Sequence, residues 1–352
     1  MRYTIVSVVL FLSLTIRADE IIGDVYSGGG TKIDIEKVIE KGYKFLKSSQ
    51  NKNGSWTEKV GTKVMEEVVG EKAENVGITC IAGMAFLAGG YIPQKGKYSD
   101  VLRKIVDYVL SVQRPSDGYI TKNGTRMYEH AFCLLFLAES YGNTHRDKDV
   151  KEAIIKAINL LVYAQNTNGG WRYQPQPFDA DISVTVSVLQ ALRAARNAGF
   201  YVPSKTIKKA ERYVKKSLNP DGSFKYQLVN DAYTRSDSFA LAACGAVSLM
   251  SLGHYNRQTI KKILDFISNN LPNKRLTGYN FHYFYGHYYA VQAFFLYGGE
   301  VWEKYEEKVL SEILEGRNKE GYWVDEVGPV YATSMALIWL QIPKQLLPIF
   351  YK

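Results

Sequence analysis

One turn recurs along this chain with nearly constant composition, and that recurrence limits the possible folds more than any other feature. It reads Gln50-Asn-Lys-Asn-Gly-Ser-Trp56, Gln113-Arg-Pro-Ser-Asp-Gly-Tyr119, Gln165-Asn-Thr-Asn-Gly-Gly-Trp171, Asn219-Pro-Asp-Gly-Ser-Phe224 and Arg317-Asn-Lys-Glu-Gly-Tyr-Trp323. The glycines at 54, 118, 169 and 222 stand 64, 51 and 53 residues apart. A glycine at such a point ends a helix in the left-handed conformation, and the next aromatic folds back onto it. The spacing fits one helical hairpin with its loops per unit.

The flanking segments fall into two kinds. Before the turns run amphipathic helices with a single apolar stripe: Ile154, Ile155, Ile158, Leu161 and Val162, or Ile260, Ile263, Leu264, Ile267 and Leu271. After the turns come segments apolar nearly all round: Ile78 to Leu87, Ala131 to Leu137, Val184 to Leu192, Phe239 to Met250, Tyr288 to Leu296 and Tyr331 to Leu340. A helix without a polar face must be covered on every side. Alternation of the two kinds predicts a double ring, with one-striped helices outside and apolar ones inside. Closing the ring removes the apolar ends that an open solenoid would have to cap. The expected fold is all-α, an α/α toroid of about six hairpins with almost no sheet.

The first residues carry one cation, Arg2, an apolar stretch from Thr4 to Ile16, and Ala18 before Asp19 and Glu20. That layout predicts a signal peptide over 1–18, cut near Ala18, since the stretch is too short for a permanent membrane span. A flexible segment over 19–32 and a single toroid domain over 33–352 would follow, exported to a periplasm or the outside. The net charge of +9 comes from Lys and Arg scattered through amphipathic helices such as Lys205 to Lys216. A solvated helix face explains this better than a nucleic-acid groove. Cys80, Cys133 and Cys244 are far apart and each sits in an apolar run, so they read as buried thiols acting as small hydrophobes.

The Gln-x-x-x-Gly-x-Trp turns resemble the QW repeats of squalene and hopene cyclases, shared in looser form by protein prenyltransferase β-subunits. The likeness is closest to single-domain exported bacterial proteins of the prenyltransferase and squalene-oxidase repeat family. It rests also on Met127-Tyr-Glu-His-Ala131, Gly169-Gly-Trp-Arg-Tyr173, Asp179-Ala-Asp-Ile-Ser-Val-Thr185, Tyr283-Phe-Tyr-Gly286 and Val330-Tyr-Ala-Thr333. It covers the whole mature chain and speaks to fold more than to reaction.

Candidate site residues lie where the inner helices begin. Glu129-His130, Asp179-Ala-Asp181, Ser236-Asp237, Gly286-His287 and Tyr331 would gather at one mouth of the ring, where helix N-termini favour negative charge. By the resemblance, Asp181 stands where those cyclases carry the general acid that protonates an alkene; Asp179 and His130 are the other catalytic candidates, from their place at the inner-helix starts. Ile182 departs from their Asp-x-Asp-Asp-Thr pattern and removes a carboxylate that would help hold its neighbour protonated. For Asp179 and Ser236, plain helix capping is the simpler reading. Asp237, His287, Tyr283, Tyr285, Tyr331 and Trp171 are the candidate ligand contacts. The ring-rich run Tyr279-Asn-Phe-His-Tyr-Phe-Tyr-Gly-His-Tyr-Tyr289 could line a cavity or simply pack a core.

No cofactor is expected: the Asp-x-Cys pair of the prenyltransferase zinc site does not occur, and the one metal alternative is His130 and His287 meeting Asp181 or Asp237 across the mouth. Expected partners are an apolar or glycan small molecule or a protein segment at the central cavity, with no nucleic acid and no stable membrane span. Whether the chain binds such a ligand only, or protonates an isoprenoid with Asp181, is left open at this point.

Overall fold

The computed structural model describes residues 25–26, 32–60, 70–123, 126–228, 238–254, 256–272 and 282–351. The expected signal peptide, most of the 19–32 segment, and both Ser236 and Asp237 lie outside the described residues.

Among the described residues twelve α-helices alternate between two layers. The outer ones are α1 (Ile35–Ser49), α3 (Ser99–Val112), α5 (Asp147–Ala164), α7 (Ser204–Ser217), α9 (Arg257–Asn269) and α11 (Glu300–Glu315). The inner ones are α2 (Val76–Ala88), α4 (Met127–Ser140), α6 (Ile182–Asn197), α8 (Phe239–Ser251), α10 (Tyr283–Tyr297) and α12 (Pro329–Gln341). Inner helices pack side by side in that order, and α12 packs back on α2, so the ring closes. This is the α/α toroid that the alternation of patterns predicted.

Burial follows the two patterns. On α7 only Thr206, Ala210, Tyr213, Val214 and Ser217 are buried, one stripe with its lysines turned outward, whereas every residue of α2 is buried. Each turn then locks its hairpin. Trp171 is wholly buried; its backbone N–H donates to Thr185 Oγ1 at 3.1 Å and its indole N–H to the Leu161 carbonyl at 2.7 Å. Trp56 repeats both bonds with Thr79 and Leu46, and Trp323 repeats them with Thr333 and Ile313. A buried indole N–H needs such a partner.

The turn glycine also sets how neighbouring hairpins meet. At Gly169, φ is +105°, and a Cβ there would lie 2.1 Å from the carbonyl oxygen of Lys209 on the next outer helix. Only glycine allows both the conformation and that approach. At Gly321, in the last turn, a Cβ would stand 2.8 Å from the side chain of Lys41 of α1, so the final repeat docks on the first. The seam is reinforced by Tyr43, whose hydroxyl bonds Gln341 and the Ala85 carbonyl, and by Phe45 stacked on Tyr322 with centroids 4.1 Å apart.

The expectation of almost no sheet holds. Among the described residues the sheet amounts to two short antiparallel pairs: β1 (Val25–Tyr26) with β2 (Lys32–Ile33), and β3 (Thr57–Val60) with β4 (Glu71–Glu74). The second fills an insertion between Trp56 and the first inner helix. Its strand β3 turns Glu58 inward and leaves its neighbours more open, a period-2 pattern carried by a charged residue and so invisible to a search for apolar alternation. Among the described residues no helix is long and apolar enough to cross a membrane.

Candidate functional site

Every unit repeats the path outer helix, turn, inner helix, so the inner-helix N-termini share one end of the barrel. Backbone donors there reach into the neighbouring units. Met127 N–H donates to the Tyr173 carbonyl and Ile182 N–H to the Tyr226 carbonyl, both at 3.0 Å. Val330 N–H donates to the Glu58 carboxylate at 2.5 Å, so the inward-facing glutamate of β3 holds the first amides of α12. Burial pushes the Glu58 carboxyl up to about 7, against these hydrogen bonds and the charges of Lys72 and Lys59. Sequence reasoning passed over Glu58; its signal was a charged residue just after a turn tryptophan.

Asp181 is the N-cap of α6 and is 0% exposed. Its Oδ1 accepts from Ser183 Oγ at 2.7 Å and from Val184 N–H at 2.8 Å. Its Oδ2 is buried and has no hydrogen-bond partner among the described residues. Burial raises its carboxyl to about 6; the Ser183 and Val184 hydrogen bonds and the Arg172 charge pull the other way.

Ser183 links this carboxylate to three further inner helices. Tyr128 of α4 hydrogen-bonds its hydroxyl at 2.7 Å, and Tyr285 of α10 donates to its carbonyl at 2.7 Å. The Cys244 thiol of α8 donates in turn to the Tyr285 oxygen at 3.6 Å. One layer deeper, Ser187 and Tyr289 join at 2.9 Å, and Gln190 donates to Gln292 at 2.5 Å. Above the layer, the Tyr173 and Tyr226 hydroxyls meet at 2.6 Å, and the Arg172 guanidinium lies 5.0 Å and 5.9 Å from their ring centroids. Tyr128, Tyr173, Tyr226 and Tyr285 are each only half-buried. Buried oxygen and half-open ring faces thus share one mouth.

The other candidates fall in different places. Asp179 is exposed and pairs with Arg172 at 3.2 Å, closing the loop that leads to Asp181. His130 is wholly buried, with Nδ1 accepting from Ile120 N–H at 3.1 Å and Nε2 3.1 Å from the Ala157 carbonyl. The first bond is the one that Thr79, Thr185 and Thr333 make to the tryptophan N–H of their own turns. His130 therefore takes the threonine's place in the second repeat, and both ring nitrogens are committed to backbone rather than to Asp181. Burial pushes its pKa down to about 4.

His287 and Tyr283 face the outer layer. His287 Nδ1 lies 2.7 Å from the Tyr305 hydroxyl of α11, with its ring packed on Tyr283 and Phe239, and burial pushes its pKa down to about 3. The Tyr283 hydroxyl donates to Glu312, also on α11. Trp171 belongs to the turn core, Tyr331 is half-buried at the start of α12, and Asp237 lies outside the described residues. Of the sequence candidates, then, Asp181 and Tyr285 come together, joined through Ser183. Sequence reasoning did not single out Ser183, Tyr128, Tyr173 or Tyr226. Among the described residues no group of three His, Cys, Asp or Glu side chains is placed to hold a metal ion.

This geometry defines an α/α toroid with a polar, tyrosine-lined mouth at the inner-helix N-termini. No family model matches the chain, and no curated protein sequence matches it. Solved structures do. The type II terpene cyclase MstE from Scytonema superposes with a TM-score of 0.60 at 13% identity, over 89% of this chain and 99% of that one. The GH76A alpha-1,6-mannanase from Salegentibacter sp. superposes with a TM-score of 0.63 at 12% identity, over 89% of this chain and 100% of that one. At such identities the likeness concerns the fold alone.

Proposed function

We propose that this chain is a ligand-binding toroid whose tyrosine-lined mouth takes an uncharged small molecule with both apolar and hydroxyl-bearing surface, a glycan or an isoprenoid-type lipid. The observation that carries this reading is the buried, unpartnered Oδ2 of Asp181 among half-buried tyrosines. Leaving a buried polar atom unpaired costs about 1–3 kcal/mol. Capping α6 does not require that cost, so the arrangement suits a donor supplied by a ligand, with ring faces to stack on it. Solved complexes give the fold precedent for both ligand classes: the Scytonema cyclase with geranylgeranyl dihydroxybenzoate, and the mannanase with alpha-1,6-mannotetrose. The turn motifs support membership of the prenyltransferase and squalene-cyclase repeat family. The signal-peptide-like pattern read in the sequence of residues 1–18 supports export of the site to a periplasm or the outside.

The test is a ligand panel on the purified chain, with alpha-1,6-manno-oligosaccharides and a prenylated phenol as the two arms, read by melting temperature and native mass spectrometry. A saturable rise of several degrees in one arm is expected. No shift and no retained mass in either arm would contradict the reading.

A second reading rests on a different observation, the Asp181 carboxyl held up to about 6 by burial. Such a group is partly protonated near neutral pH and could deliver a proton from Oδ2 to an alkene in the mouth. Ile182, in place of a second supporting carboxylate, weighs against it. Cyclised product from the prenylated arm, lost in Asp181→Asn while binding persists, would favour proton transfer over binding alone.

A further inference from the structure

Cys80 and Cys133 stand 53 positions apart in sequence, yet their sulfur atoms are 3.1 Å apart. That is inside the roughly 3.5–4.0 Å at which even carbon atoms rest against each other. They project from α2 and α4, which pack directly as neighbours in the inner ring. Both are wholly buried thiols. The third cysteine, Cys244, lies on α8 beside Tyr285, away from both, so the fold selects one pair from three.

We propose that Cys80 and Cys133 form a redox pair that closes to a disulfide when the chain folds in an oxidising environment, tying the inner helices of the first and second repeats together. The chemistry is exchange with a small or protein disulfide, such as glutathione disulfide. One cysteine thiolate attacks the donor, giving a mixed disulfide and releasing one donor thiol. The second cysteine, losing its proton, attacks the protein-side sulfur of that bond and expels the second donor thiol. Two electrons pass from the cysteines to the donor, and the sulfurs close by about 1 Å to bonding distance.

The fold dictates when this can happen. Burial pushes the Cys133 thiol well above its usual range, and thiolate is the attacking form. Oxidation therefore precedes the final closure of α2 on α4. Once formed, the bond is shielded from reductants by the same packing. A link across this separation restricts the unfolded chain and raises stability. The inference does not depend on what the mouth binds.

The experiment uses the full chain, unfolded with reductant and then refolded either with glutathione disulfide or with reductant maintained. Thiols are trapped with N-ethylmaleimide under denaturing conditions and mapped by peptide mass spectrometry. A chain that does not refold is instead expressed in an oxidising and in a reducing compartment and mapped the same way. The expected result is a Cys80–Cys133 linked peptide with Cys244 alkylated, and a melting temperature several degrees above the reduced sample. The link should survive dithiothreitol in the folded protein and vanish once denaturant is added. The double variant Cys80→Ala with Cys133→Ala should lose the redox dependence, and Cys244→Ala should keep it. Three alkylated cysteines after oxidative folding, a link through Cys244, or a link that leaves the melting temperature unchanged would overturn the proposal.

Discussion

Asn75 and Asp181 occupy the same point of the repeat. Each backbone N–H donates to the carbonyl of its turn tryptophan, at 3.1 Å for Trp56 and 3.0 Å for Trp171. Each side chain caps an inner helix by accepting from the third amide, Ile78 at 2.9 Å and Val184 at 2.8 Å. Each carbonyl receives a threonine hydroxyl, Thr79 at 2.7 Å and Thr185 at 2.6 Å. A neutral amide does in the first repeat what a carboxylate does in the third. Capping therefore accounts for one oxygen of Asp181 and leaves its charge and its second oxygen to be explained by the mouth.

That equivalence makes Asp181→Asn a clean substitution. Asn caps as well as Asp, so the fold should survive. Burial raises the Asp181 carboxyl from 3.8 to about 6, so between those values the native state holds a proton that the unfolded chain has shed. The wild type therefore gains stability relative to the variant as pH falls from about 7 to 4. The Asn variant should be the more stable at pH 8, by on the order of 3 kcal/mol, with the gap closing near pH 4. Denaturant melts across that range check it; a variant less stable at pH 8 than the wild type would show that the ionised carboxylate is well solvated or paired.

His130 should give the opposite slope. Its pKa is lowered from 6.5 to about 4, so the unfolded chain takes up a proton that the native ring refuses. Its contribution is fully present above pH 6.5 and falls as pH drops towards 4. His130→Thr, which restores the residue of the other repeats, should flatten that acid loss. His130→Ala should cost about 2–4 kcal/mol through the lost ring volume and the unpaired Ile120 N–H. Equal acid sensitivity in wild type and His130→Thr would contradict a buried neutral imidazole.

Two glycines separate backbone strain from crowding. Gly142 has φ +84° and open space within 4 Å of where a methyl group would stand, whereas Gly169 has φ +105° with the Lys209 carbonyl 2.1 Å from that point. Gly142→Ala should cost about 1 kcal/mol, and Gly169→Ala clearly more, because outer helix α7 would have to shift. Similar losses in thermal melts would mean that the turn does not press on its neighbour.

The wholly buried indole of Trp171 carries a third kind of load. Trp171→Ala should lower stability by about 3–5 kcal/mol and leave the Leu161 carbonyl without its indole donor. A change in melting temperature of only a degree or two would place the ring outside the core.

Helix order, the two layers and the turn glycines were legible in the sequence because each is a local periodicity that repeats. Ring closure followed from the same repeat, since a sixth unit has nowhere else to bury its apolar helix. His130 was not legible: its type suggested catalysis, and only the hydrogen bond from Ile120 shows that it substitutes for a threonine. The Tyr128, Ser183 and Tyr285 cluster joins α4, α6 and α10, so no sequence spacing announces it. The Cys80 and Cys133 contact was hidden for the same reason, because two apolar runs one repeat apart say nothing about which faces meet.

The most direct test of the ligand-binding mouth compares wild type, Asp181→Asn and Tyr285→Phe, each with and without the ligand that gives the largest shift in the two-armed panel, at pH 7. The quantity read is the rise in melting temperature on adding ligand, taken separately for each protein so that changes in basal stability cancel. A ligand-binding mouth predicts a rise of several degrees in the wild type and loss of most of it in both variants. An equal rise in all three proteins, or none in the wild type, would contradict it.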